Sequence, residues 1–325
     1  MNIRQKRELK DAASAQLSAA PQAGQILLIY CGITLGLSAL VTVVNYCLGL
    51  EISQTGGLKN IGIRSVLSTI QTVLPMVQTV VLMALELGYT SAMLRVARGQ
   101  YASPNSLRMG MDRFWPLVRL NLVQALLYLG VCMFGAYLAV TIFTLTPAAR
   151  ELTDMIAAMD PTAMLDEATA MAVYDMMLPL FPLFGIFCLA LMAPVFYALR
   201  MSGYVLIDNP GMPTLLVLRE SRKMMKRNRF ALFRLDLSFW YYYVLGFLAT
   251  FVAYGDSLLP MLGISLPISD TVGYFLFYGI YLVLELGISW LFLNRISVTY
   301  ALAYESLLPE KEETNAVVLG NIFEM

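Results

Sequence analysis

The sequence predicts an all-α, polytopic membrane protein with about six transmembrane helices, cytoplasmic termini and amphipathic helices at the membrane interface. Composition is the first reason. Of 325 residues, 58% are hydrophobic and 14% charged, and the mean hydropathy is +0.68. A soluble domain carries about 25% charged and about 45–50% apolar residues, so most of this surface expects lipid as its solvent. Apolar runs of spanning length are the second reason, since a hydrocarbon core of about 30 Å takes roughly 20 helical residues. The third is charge placement. Net charge is zero, yet nineteen of the 22 Lys and Arg residues fall on the side shared by both termini. That split makes both termini cytoplasmic.

Residues 1–24 form a basic lead in which Ile3, Leu9, Ala13 and Leu17 share one helical face, which predicts a short helix lying on the membrane surface. The lead is too long for the n-region of a cleaved signal, so the first apolar run reads as a retained signal-anchor. The membrane domain occupies 25–308, with spans at about 26–50, 66–94, 114–146, 178–207, 230–254 and 272–304. Between the third and fourth spans an outer loop, 147–177, carries Glu151, Asp154, Asp160, Asp166, Glu167 and Asp175 against Arg150 alone. Its Met/Ala/Leu content and the Asp160-Pro161 break predict two short helices. A basic inner loop, 208–229, precedes the fifth span, and 309–325 is a short cytoplasmic tail expected to be disordered or loosely docked.

The stretch RESRKMMKRNRFALFRLDLSFWYYYVLGF (219–247) mixes bases and aromatics in the way a nucleic-acid surface does. Helical periodicity decides against that. A helix over 215–229 with Thr214 as N-cap places Val217, Leu218, Ser221, Met224, Met225 and Asn228 on one face. Arg219, Arg222, Lys223, Lys226, Arg227 and Arg229 share the other. Two-sided segregation describes a helix at headgroup level: its Met face rests on acyl chains or on the bundle floor, and its bases face phosphate from lipid or from water-borne anions. Phe233, Phe239, Trp240 and Tyr241–Tyr243 then form an aromatic collar where the fifth span enters the bilayer. The expected partners are membrane lipids, including anionic ones, with protein partners open and nucleic acid excluded.

Ionisable residues inside spans are candidates for function. Glu285 stands near mid-span in IYLVLELGISWLF, and Glu86 lies nearer the inner end of the second span; both sit in an LELG setting whose Gly permits close helix approach. RFWPLVRLNL (113–122) resembles RFALFRLDL (229–237), which suggests a repeated helix–inner loop–helix unit with Asn121 and Asp236 as equivalents. Asp236 is expected to pair with a base and Asn121 to bond across helices. Two readings of Glu285 stand side by side: a proton- or cation-coupled path, or a protonated or cross-bundle-bonded structural residue. The chain has no His, which removes the commonest general base and metal ligand. Cys31, Cys47, Cys132 and Cys188 lie in apolar runs without CxxC spacing. No nucleophile–base set, phosphate loop, dinucleotide fingerprint or metal motif is present, so no catalytic residue, metal or cofactor is expected.

RELKDAASAQL near the start, LIDNP (206–210), SRKMMKRNRFALFRLDLSFW (221–240) and VTYALAYESL (298–307) together resemble an uncharacterised bacterial integral-membrane family, domain of unknown function nine-seven-five. The resemblance spans nearly the whole chain and implies a multi-pass protein of a bacterial cytoplasmic membrane. That family is similar in layout to the membrane domain of certain glycerophosphodiester phosphodiesterases, which is not their catalytic domain. Where the family reads SRKMMKGNK this chain has SRKMMKRNR, losing a Gly and keeping the charge, and its acidic outer loop is longer. The expectation is a non-enzymatic protein that organises lipids or partner proteins through its basic inner face, the alternative being a small-solute or ion transporter with Glu285 on its path.

Overall fold

The computed structural model describes residues 3–54, 61–158, 167–261, 263–264 and 269–308. In chain order the helices are α1 (Ile3–Ala19), α2 (Gln22–Gln54), α3 (Ile61–Ala97), α4 (Met109–Asp112), α5 (Phe114–Phe143), α6 (Pro147–Ala158), α7 (Glu167–Met177), α8 (Leu180–Leu199), α9 (Ser202–Asp208), α10 (Thr214–Met225), α11 (Arg229–Leu237), α12 (Trp240–Ala253), α13 (Gly255–Met261) and α14 (Asp270–Glu305), with a 3-10 turn, Pro104–Arg108, before α4. Among the described residues there is no strand. Five helical segments are long and apolar enough to cross a membrane, and the pair α11–α12 makes six if counted as one span broken by a 59° bend. The sequence expected that fifth span to be continuous. The bend falls at Ser238-Phe239, where Phe239 is fully buried and holds the break against the bundle.

Helix pairing is simple. α2 lies along α3, α5 along α8, and α14 packs against α12, α3 and α2. Small and polar residues mediate the approaches, as expected where lipid removes any hydrophobic drive between helices. Gln78 donates from Nε2 to Ser38 Oγ at 3.0 Å, and Thr42 Oγ1 lies 3.0 Å from the Tyr278 hydroxyl. A Cβ added at Gly135 would meet Cys188 Sγ at 3.2 Å, which brings α5 and α8 close.

Burial divides the molecule into two zones. In α3 the residues from Ala84 to Ala97 are largely buried, whereas Ile63, Val66, Ile70, Val73, Met76 and Val77 are exposed. At about 1.5 Å per residue, the 37 residues of α3 run well beyond the roughly 30 Å of a hydrocarbon core. One end of the molecule thus carries lipid-type surface. The other holds a packed core of α1, the 3-10 turn, α9, α10, α11 and the last turns of α14. Water on that end supplies the hydrophobic drive that lipid does not.

α1 belongs to this packed end. Ala13 is fully buried, Leu9 and Leu17 pack on the core, and the helix runs along α14 and α3. Lys10 donates to the Ser238 carbonyl at 3.0 Å and sits 4.1 Å above the Phe239 ring. The apolar face read from the sequence is present, but protein covers it rather than acyl chains. The two short helices expected in the outer loop are α6 and α7, which pack together; Asp160, Pro161 and Asp166, like the tail from Pro309, lie outside the described residues.

Candidate functional site: a basic recess and an ion-paired node

α10 carries the basic face. Val217, Leu218, Ser221 and Met225 are buried against α8 and α9, and the Ser221 hydroxyl donates to the Ala198 carbonyl at 3.0 Å. The floor of the bundle is therefore what the Met face rests on. Two details differ from the sequence reading. Pro213, not Thr214, is the N-cap, and the helix ends at Met225 rather than Arg229. The turn at Lys226–Asn228 starts α11 at Arg229. Arg219, Arg222, Lys223, Lys226 and Arg229 line one recess of about 390 Å³. Arg227, exposed, is not part of its lining. The nearest carboxylate in sequence, Glu220, makes only a 3.8 Å contact with a well-exposed Lys223. Arg229 opens a helix, whose first N–H groups add partial positive charge, and its Nε is buried without a hydrogen-bond partner. Such a constellation accepts an oxyanion such as phosphate.

A second feature of the packed end is an ion-paired node that the sequence reading missed. Arg98 donates from Nη1 and Nη2 to the two carboxylate oxygens of Asp208 at 2.9 and 2.7 Å, and from Nε to Glu305 at 2.7 Å. The Tyr304 hydroxyl donates to Asp208 at 3.0 Å. Hydrogen bonding to Asp208, against the opposing pull of partial burial, and then to Glu305 holds the Arg98 guanidinium above its already high ordinary value. Next to it, Arg113 donates to the carbonyls of Leu206 and Ile207, closing the C-terminus of α9; burial lowers its guanidinium somewhat. The signal existed in the sequence: Arg98 sits in LRVARGQY, Asp208 in LIDNP and Glu305 in VTYALAYESL. Nothing in one chain of letters says that these three segments meet.

The intramembrane candidates separate. Glu86 and Asn121 line a cavity of about 370 Å³ between α3, α5, α8, α9, α12 and α14, together with Gln124, Arg200, Tyr204, Tyr242 and Tyr300. Glu285 and Asp236 do not line it. Glu285 is half-buried, within electrostatic reach of Cys31, Tyr242 and Tyr281. Asp236 accepts from the Tyr197 hydroxyl at 2.7 Å, so its partner is a tyrosine and not the expected base. Asn121 bonds back to the Leu117 carbonyl of its own helix at 3.1 Å instead of crossing to another.

The suggested repeat holds at its start only. RFWPLVRLNL begins α5 and RFALFRLDL begins α11, but α5 continues unbroken to Phe143 while α11 stops at Leu237. The two LELG settings also differ. At Gly88 a Cβ would overlap the Leu107 carbonyl, and at Gly110 the Ala84 carbonyl; at Gly287 it would meet open space. The first LELG thus lets the 3-10 turn and α4 fold back along α3, and the second has no such role.

Long apolar helices on one side and a packed, strongly basic, ion-paired end on the other define a helical protein of the multi-pass membrane class. The chain belongs to the family described as "Protein of unknown function (DUF975)", whose model matches residues 1–317. No curated protein and no solved structure matches it. The family match takes in every segment of the Arg98 node and all of the basic recess.

Proposed function

We propose that this protein is a non-enzymatic component of a bacterial cytoplasmic membrane, with both termini inside, which engages anionic lipid headgroups through the recess of Arg219, Arg222, Lys223, Lys226 and Arg229. One observation carries the reading: five cationic side chains line a single recess, with no carboxylate among the described residues of its lining. Four of the five are exposed, and a bound phosphate relieves the mutual repulsion of so close a group of like charges. The position of the recess supports a lipid source for the phosphate. α10 lies on the packed end of the bundle, and the exposed rings of Phe230, Phe233 and Trp240 follow immediately where α11 and α12 turn into the apolar zone. Each base at an anionic surface contributes about 1 kcal/mol at low salt, so five give a strong but screenable attraction.

The transporter alternative draws on Glu285. It is the weaker reading, because the polar cavity between the helices is lined by Glu86 and not by Glu285.

Lipid retention tests the proposal. In detergent, native mass spectrometry should show bound phosphatidylglycerol in preference to phosphatidylcholine. Lys223→Glu with Lys226→Glu should cut that retention by roughly tenfold or more, and raising the salt to about 0.5 M should do likewise. Displacement by millimolar inorganic phosphate would assign the recess to a soluble anion. Retention that ignores both the charge reversal and the salt would sink the proposal.

A further inference from the structure

Among the described residues, two charged side chains line the interhelical cavity, Glu86 and Arg200, and they are of opposite sign. Among the described residues no ion pair joins them, and neither is paired elsewhere. Both are exposed into the open volume. Arg200 is held in place by aromatic rings, its guanidinium carbon standing 5.1 Å from the centroid of Phe196 and 5.1 Å from that of Tyr300. Asp236, a carboxylate within electrostatic reach of Arg200, is already engaged by Tyr197. Tyr204, also in the lining, is within electrostatic reach of Glu86 and Arg200 alike, so the two charges face a common space.

A second observation points to a missing occupant. Tyr300 lines the same cavity, is 5% exposed, and its hydroxyl is buried with no hydrogen-bond partner. Gln124, also in the lining, by contrast donates from Nε2 to Ser202 Oγ at 2.6 Å. The Tyr300 hydroxyl is an unused donor and the Arg200 guanidinium stands over the same ring, so the two can serve one oxyanion. The carboxylate across the cavity asks for the opposite charge. A ligand of one sign would leave either Glu86 or Arg200 desolvated and unmatched, which is costly. A zwitterion meets both.

We infer that this cavity binds an ammonium–oxyanion zwitterion, Glu86 taking the ammonium and Arg200 with the Tyr300 hydroxyl taking the oxyanion, and that the ligand is the headgroup of an ethanolamine phospholipid. The lipid source follows from the walls. Phe196 and Tyr243, both in the lining, are exposed on the flanks of α8 and α12, so the cavity meets the surface where acyl chains would lie. The free zwitterions that share this chemistry, glycerophosphoethanolamine and α-amino acids, are the soluble alternative. This site uses none of the residues of the basic recess, and either proposal can fail without the other.

Thermal-shift titration of the detergent-purified protein with dihexanoyl-phosphatidylethanolamine, dihexanoyl-phosphatidylglycerol and glycerophosphoethanolamine tests it. The ethanolamine lipid is expected to bind about tenfold or more tightly than the glycerol lipid, from one charge-assisted contact. Glu86→Gln should abolish that preference while leaving the glycerol lipid bound. Arg200→Gln should weaken both lipids, and Arg200→Lys should restore part of the loss; Tyr300→Phe should weaken both by a smaller factor. Lys223→Glu should leave the preference intact. Glu86 makes no hydrogen bond whose loss would unfold the bundle, and unchanged far-UV circular dichroism of Glu86→Gln confirms that. Glycerophosphoethanolamine binding as tightly as the lipid would uphold the site and overturn the lipid as its source. An ethanolamine preference that survives Glu86→Gln, or equal binding of the two lipids by the native chain, would overturn the proposal.

Discussion

Arg98→Met removes the centre of the ion-paired node while keeping most of the side-chain stem. Arg98 spends Nε, Nη1 and Nη2 on two carboxylates at 2.7 to 2.9 Å. The three side chains are 28%, 21% and 31% exposed, which places the node between a surface pair worth about 0–1 kcal/mol and a buried pair whose rupture costs about 3–5 kcal/mol. A cost of about 2–3 kcal/mol follows, because the substitution also leaves Asp208 and Glu305 facing each other without a cation. At roughly 2–4 °C per kcal/mol for a chain of this order of size, the melting temperature should fall by about 4–12 °C. The assay is intrinsic fluorescence of the detergent-solubilised protein on heating. A double-mutant cycle sharpens it. Once Arg98 is gone, Asp208→Asn should help, since it removes one of two like charges, whereas in the native chain it should hurt. Arg98→Met melting within about 1 °C of the native protein, or strict additivity of the two changes, would refute the node as a clamp between α3, α9 and α14.

The close backbone approaches make a matched test. Gly88→Ala and Gly110→Ala drive a methyl into the Leu107 and Ala84 carbonyls and should destabilise by about 1–3 kcal/mol or more. Gly287→Ala meets nothing within 4 Å and should be neutral or stabilise by up to about 1 kcal/mol; equal melting temperatures for the three would contradict the packing of α4 on α3. Lys10→Met removes the 3.0 Å bond to Ser238 and the Phe239 stack, about 2 kcal/mol together. Amide exchange in α1 should then quicken roughly tenfold or more, and an unchanged exchange profile would place the hold on α1 elsewhere.

Much of this was readable before any coordinates. Apolar runs give helices of spanning length wherever they exceed what lipid requires, and the buried face of α10 follows from the spacing of Val217, Leu218, Ser221 and Met225 alone. Those are local properties, in which each residue's environment depends on its period along one helix. The basic recess was half legible. Its residue types and their common face were in the letters, but that Arg229, beyond the end of α10 at Met225, lines the same recess as Arg219 is a property of the folded chain. Periodicity also placed the apolar face of α1 correctly and its partner wrongly, because a hydrophobic stripe does not record whether lipid or protein covers it.

Composition and the lengths of the apolar runs were determined by sequence alone, since the solvent around each segment selects them residue by residue. Which polar groups meet was decided only by the tertiary structure. Arg98 and Glu305 are separated by most of the chain and yet pair, and Asp208 binds the same guanidinium. Glu86 and Arg200, on α3 and at the end of α8, face one cavity, while Glu285, the more conspicuous acid in the sequence, stands outside it. An isolated charge in an apolar run looks equally expensive wherever it falls; whether a partner, a tyrosine or an open cavity meets it depends on how the helices are arranged around it.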